Sequence, residues 1–145
     1  MISSIIQEPK DTNFATAQAW TLLLLRVSMA PLFLYSGIGK LMSIPATAAR
    51  LPGGADGFGL FLALGATALE LLGAIALLLG IFARPVALAF IPYIIAATLM
   101  FHNFWASPEA MVVPQTLNFL KNIGLIGGMA IIAAFGAGPL RILRR

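Results

Sequence analysis

Four long apolar segments, separated by short polar connections, dominate the hydrophobic pattern of this chain. They comprise residues 19–42, 58–83, 85–105 and 116–138. Each is comparable to the roughly 20 residues that a helix needs to cross the hydrocarbon core of a bilayer. The pattern therefore predicts four transmembrane helices packed as an all-α integral membrane bundle.

The connections between these segments carry residues that end or start helices. Pro52, Gly53 and Gly54 separate the first two segments, and Asp56 is a candidate N-cap for the second helix. Pro108 and Pro114 bracket the third connection. We expect one domain over residues 19–138, with a polar N-terminal tail over 1–18 and a basic C-terminal tail over 139–145.

The composition supports a membrane location. Mean hydropathy is +0.97, and 60% of the residues are hydrophobic. Only 10% are charged, against about a quarter in soluble domains. The net charge of +4 then indicates membrane topology rather than nucleic-acid binding, and we expect the lipid bilayer, not nucleic acid, as partner. No cysteine is present, which excludes disulfides and thiolate ligands.

The basic residues outside the segments predict the orientation. An even number of spans puts both termini on one side. That side carries Lys10, Arg84, Arg141, Arg144 and Arg145, whereas the opposite side carries Lys40 and Arg50. The positive-inside rule places both termini in the cytoplasm. Residues 1–18 lack the basic start and apolar core of a signal peptide, so we expect them to be retained.

A few charged residues fall inside the apolar segments. They are Arg26, Glu70 and Lys121, with Lys40 at the end of the first segment. Because a charge in the hydrocarbon is costly, each is expected to face the bundle interior. The helical face of Glu70 supports this expectation, since its neighbours are small: Ala63, Ala66, Thr67, Gly73 and Ala74.

These charges suggest an ion pair. At a rise of 1.5 Å per residue, Arg26 and Glu70 reach depths that an arginine side chain could bridge, so we predict that they pair. Lys121 enters from the opposite side, near enough to compete for the same carboxylate.

The residues leave two interpretations of this cluster open. It is either a structural clasp that fixes helix register, or a mid-membrane polar pocket that opens toward Lys40, His102 and Trp105. The excess of positive charge would suit a quinone oxygen, a semiquinone or a small anion. His102 is the sole histidine, which argues against haem between two histidines and against a metal centre. We expect no required cofactor, name a quinone as the candidate ligand, and assign no catalytic residue.

The chain resembles the DoxX family of small bacterial membrane proteins. The resemblance lies in "LLLLRVSMAPLFLYSGIGKL", "ALELLGAIALLLGIFARP" and "LKNIGLIGGM". These stretches carry an ordered set of residues: Arg26, Gly37, Lys40, Glu70, Gly73, Gly80, Arg84, Lys121 and Asn122. The resemblance implies a multi-pass protein of the bacterial inner membrane. It also implies similarity to redox accessory subunits, since the family includes the small membrane subunit of a thiosulfate:quinone oxidoreductase.

Three functional hypotheses follow. The first is a membrane subunit of a quinone-linked redox system, with a soluble or membrane redox partner. Its candidate ligand site or buried polar cluster comprises Arg26, Lys40, Glu70, His102, Lys121 and Asn122. The second is an anchor or assembly protein that holds a soluble partner through its basic surface. The third is an oligomeric conduit for small molecules, for which Gly124 and Gly128 are the only hint; the oligomeric state stays open.

Overall fold

The chain folds into four long helices and one short one. In the computed structural model, which describes residues 12–142, there are five α-helices, as follows: α1 Thr12–Leu41, α2 Ile44–Ala48, α3 Phe58–Leu79, α4 Ala83–Phe101 and α5 Glu109–Phe135. A single 3₁₀ turn, Phe104–Ala106, precedes α5. The four long helices are long and apolar enough to cross a membrane, which confirms the predicted all-α membrane bundle.

The outer surface of the bundle is apolar. Large side chains on all four long helices are more than half exposed, among them Leu24 of α1, Leu72 of α3, Leu88 of α4 and Leu117 of α5. Such a surface would be unfavourable in water but is favourable against lipid. The bundle is therefore built to face the bilayer on its outside.

The helices associate as two pairs. α1 packs mainly against α3, and α4 mainly against α5. The pairs meet in a core at one end of the bundle, where the Phe33 and Phe90 rings lie 4.3 Å apart. Fully buried Leu77 and Ile132 complete this core. We call this end, which contains Gly80 between α3 and α4, the turn end. The opposite end, which contains α2 and the 3₁₀ turn, is the α2 end.

The helix boundaries differ from the sequence prediction at several points. α1 already includes Thr12, the first described residue, which lies inside the predicted tail. α5 begins at Glu109, so Pro114 lies within the helix rather than before it. A membrane helix tolerates a proline because neighbouring groups can satisfy the freed carbonyl. Asp56 is not the N-cap of α3. Gly57 takes that position at a φ of 83°, which favours glycine.

Part of the orientation argument lies outside the described residues. Lys10, Arg144 and Arg145 are not among the described residues. The orientation with both termini in the cytoplasm stays a prediction.

Candidate functional site

Glu70 is the centre of a polar cluster that joins three helices. Its carboxylate accepts hydrogen bonds from Lys40 Nζ at 2.7 Å and 2.9 Å, and from Ser36 Oγ at 3.1 Å. Tyr93 of α4 donates a further hydrogen bond to Glu70 Oε1. Lys40 Nζ also lies 2.6 Å from Ser36 Oγ. The buried charge of Glu70 is thus compensated by one lysine and two hydroxyl groups.

Local sequence explains why these side chains meet. Ser36 and Lys40 are four residues apart on α1 and so share one helix face. Gly37 lies between them, and a Cβ there would stand only 3.1 Å from Glu70 Cβ and 2.8 Å from Leu71 Cδ2. The absence of that atom lets α1 approach α3 at the depth of Glu70.

A second glycine fixes α4 beside the cluster. A Cβ on Gly73 would stand 2.7 Å from Cε2 of Phe90, a ring that is fully buried. Phe90 therefore packs directly on the backbone of α3, and the next turn of α4 carries Tyr93 to Glu70. The prediction that Glu70 faces small, buried positions is confirmed, since Ala63 and Ala74 are fully buried.

A cavity of about 980 Å³ lies against this cluster, between the two helix pairs. Its walls combine apolar residues of the four long helices with residues of α2. Its polar lining includes Lys40, Glu70, Tyr93, His102 and Asn122. Five of the six predicted site residues line this cavity, namely Lys40, Glu70, His102, Lys121 and Asn122. The size and mixed lining are typical of a small-molecule site.

Further polar lining residues come from the C-terminal end of α4 and the middle of α5. His102 Nδ1 lies 2.8 Å from Gln115 Oε1, and the second ring nitrogen has no partner among residues 12–142. Asn122 is buried and donates to Thr98 Oγ1 at 2.8 Å. Lys121 bonds to Asn118 at 2.9 Å and is exposed, so the expectation that it competes for Glu70 is wrong. It lines the cavity from an exposed position, where hydration or headgroups can solvate its charge.

The predicted pairing of Arg26 with Glu70 is also wrong, and Arg26 does not line the cavity. Its guanidinium donates to the carbonyls of Leu77 at 2.9 Å, Leu78 at 3.3 Å and Leu140. In the antiparallel register of α1 and α3, Glu70 lies beside Gly37 instead. Gly37 is eleven residues, or about 16 Å, further along α1. An arginine cannot span that distance, whereas the free carbonyls at the C-terminus of α3 lie beside it.

Sequence reasoning missed Ser36 and Tyr93. One signal was present for each. Ser36 precedes Lys40 by one helical turn, and Tyr93 is a hydroxyl-bearing aromatic residue deep in an apolar segment, where such a group usually has a partner.

The fold and this site define a class of protein: a multi-pass membrane bundle with a charge-paired polar cavity between its helices. The family model for DoxX matches residues 21–103, more than half of the chain. The chain belongs to the DoxX family. The matched stretch contains Arg26, Lys40, Glu70, Tyr93 and His102, whereas α5 lies beyond it.

A curated relative covers nearly the whole chain. The inner membrane protein YphA of Escherichia coli (strain K12) is 29% identical over 133 residues, which are 92% of this chain and 95% of that protein. With the four membrane-spanning helices, this relative confirms the predicted multi-pass location in the bacterial inner membrane. No solved structure gives a significant match.

Proposed function

We propose that this chain is a membrane accessory subunit of a quinone-linked redox system and that it holds the quinone headgroup in the Glu70 cavity. The observation that supports this proposal is the cavity itself, in which a paired carboxylate and lysine lie among mostly apolar walls. A quinone likewise combines a polar part, the ring with its oxygens, with an apolar tail. In this role the electrons come from a partner protein.

The charge balance of the cavity favours a neutral ligand over a small anion. Lys40, the less exposed of the cavity's lysines, is neutralised by Glu70 at 2.7 Å. Arg50 and Lys121 also line the cavity, but both side chains are exposed. A free anion would therefore have to approach the Glu70 carboxylate to reach Lys40, at a cost from like-charge repulsion. A quinone oxygen only needs hydrogen-bond donors.

Donors for a quinone oxygen are available in the cavity. The side-chain amide of Asn122 has two N–H groups, and Thr98 takes one of them. His102 Nδ1 donates to the Gln115 amide oxygen, so Nε2 of the neutral ring is an acceptor that suits the O–H of a reduced quinone. The Tyr93 hydroxyl also lines the cavity, but its hydrogen is already donated to Glu70.

The test is to identify what the protein retains. The chain is purified gently into lipid nanodiscs that contain a quinone, and the organic extract is analysed by mass spectrometry. The native chain is compared with Glu70→Gln and with Glu109→Gln, which removes an exposed carboxylate at the start of α5. We expect quinone in the native chain and in Glu109→Gln, and its loss from Glu70→Gln at matched yield.

Two results would overturn the proposal. One is a native chain that retains no quinone, in which case the Glu70 cluster is a structural clasp and the anchor hypothesis gains support. The other is equal quinone in the native chain and Glu70→Gln, which would place the bound quinone in the lipid or elsewhere on the protein.

A further inference from the structure

A second cavity, of about 700 Å³, lies at the turn end of the bundle. It is bounded by the first turns of α1, by the turn from α3 into α4, and by the segment that follows α5. Two arginines from distant parts of the sequence, Arg84 and Arg141, line it together with Phe82, Gly136 and Gly138. No acidic residue lines it within the described part of the chain.

The backbone around this cavity is held in place by specific contacts. The N–H of Ile142 donates to the carbonyl of Leu79 at 3.0 Å. Arg141 Cβ packs so closely on Gly80 that a Cβ on that glycine would stand 2.6 Å away. On the other wall, Arg84 donates to the carbonyl of Ala134 at 3.3 Å, and its Nε lies beside Gly136. The fold thus holds the backbone of Arg141 and, through Ala134, the guanidinium of Arg84, and both side chains are exposed.

A third cation increases the positive charge at this end. The Arg26 guanidinium is fully buried, and its NH1 lies 2.7 Å from where a Cβ of Gly80 would be. It bonds only to carbonyls, and its Nε has no partner. The carboxylates of the described residues lie elsewhere, since Glu70 is ten residues back along α3, and Asp56 and Glu109 are at the α2 end. Arg26, Arg84 and Arg141 therefore lie near the turn from α3 into α4, and no described carboxylate lies with them.

Such an arrangement is stabilised by an anion. Guanidinium groups bind phosphate with paired, charge-assisted hydrogen bonds, and the cavity has room for a phosphate ester. We propose that the cavity at the turn end binds a phosphate-bearing anion through Arg84 and Arg141. A phospholipid headgroup and free inorganic phosphate share this chemistry, and Arg26 contributes charge without contact.

The test is native mass spectrometry of the full chain released from nanodiscs. One arm uses nanodiscs of phosphatidylcholine with a fraction of phosphatidylglycerol, and the other uses phosphatidylcholine alone with added inorganic phosphate. The adduct mass distinguishes the two sources. We expect a retained adduct in the native chain and a fall in its occupancy of roughly tenfold or more in Arg84→Gln/Arg141→Gln.

Three control variants make the result specific. Arg50→Gln removes an exposed arginine at the α2 end and should leave the occupancy unchanged. Arg84→Lys/Arg141→Lys keeps the charge but loses the paired hydrogen bonds, so its occupancy should lie between those of the native chain and the glutamine double variant, which guards against loss through misfolding. Glu8→Gln/Asp11→Asn removes the two carboxylates at the start of the sequence. The native chain should bind the anion without this change.

Each contrary result overturns the proposal. The native chain could retain no adduct in either arm, or Arg50→Gln could reduce the occupancy as much as the double variant does. An adduct that appears only in Glu8→Gln/Asp11→Asn would show that the chain's own carboxylates fill the cavity.

Discussion

Lys40 Nζ lies 2.7 Å from Glu70 Oε2, so a lysine of α1 and a glutamate of α3 form one ion pair inside the bundle. The glutamate side chain is only 4% exposed, whereas the lysine side chain is 24% exposed. This difference means that Glu70 depends on its partner more than Lys40 does. In a membrane, where water does not reach the carboxylate easily, the pair decides whether the charge can be accommodated.

The first prediction concerns this pair. Glu70→Gln leaves Lys40 without its counter-ion, and we expect the free energy of unfolding to fall by about 1–3 kcal/mol, the range for a partly buried charge that loses its partner. Circular dichroism during thermal or denaturant unfolding in nanodiscs measures the change. Glu109→Gln, at an exposed site, should change it by less than about 1 kcal/mol. Equal effects of the two variants would count against the pair.

The second prediction concerns Tyr93. Tyr93→Phe removes the hydroxyl that donates to Glu70 but keeps the ring, which packs edge-on against Phe90 with centroids 6.3 Å apart. We expect a loss of about 1–2 kcal/mol in unfolding free energy, because a hydrogen bond to a charged acceptor is lost. In the Glu70→Gln background the same change should cost less, since the acceptor is then neutral. A strictly additive double variant would contradict the hydrogen bond.

The third prediction separates Arg26 from Glu70. Arg26→Lys keeps the charge but loses the planar group that reaches Leu77, Leu78 and Leu140 together. We expect hydrogen exchange at the amide of Ile142, which bonds to Leu79, to become markedly faster. Glu70→Gln and the exposed Arg50→Lys should leave that exchange rate unchanged. An equally large increase in the exchange rate in Glu70→Gln would contradict the separation of Arg26 from Glu70.

The fourth prediction concerns close approach at Gly73. Gly73→Ala places a Cβ 2.7 Å from Phe90 Cε2, and the ring cannot move easily because it is fully buried. We expect a loss of about 1–3 kcal/mol in unfolding free energy. Gly65→Ala on the same helix meets nothing within 4 Å and should be neutral or slightly stabilising. Thermal unfolding of the two variants side by side would decide, and a neutral Gly73→Ala would contradict the packing.

The sequence predicted the bundle well and the site only in part. Segment length and hydropathy located the four spans, and the small residues around Glu70 correctly indicated a buried face. The partners of Glu70 were harder, because depth along a helix does not give the register between two helices. That register depends on Gly37 and Gly73, where missing side chains let specific turns touch. The pairing of Arg26 with Glu70 was wrong because Arg26 bonds to backbone carbonyls, most of them at the end of α3. Any residue has such a carbonyl, so the sequence pattern does not identify these partners.

The most direct test of the account is a quinone titration that separates the cavity from the stability of the fold. Gly65 lines the Glu70 cavity and has open space at its Cβ, so Gly65→Leu should fill the cavity and leave the Lys40–Glu70 pair intact. Gly124 also has open space but lies outside the cavity lining, so Gly124→Leu is its matched control. A short-chain quinone would be titrated into nanodisc samples and its dissociation constant measured. The account predicts weakening by roughly tenfold or more in Gly65→Leu and native affinity in Gly124→Leu. Native affinity in Gly65→Leu would contradict it.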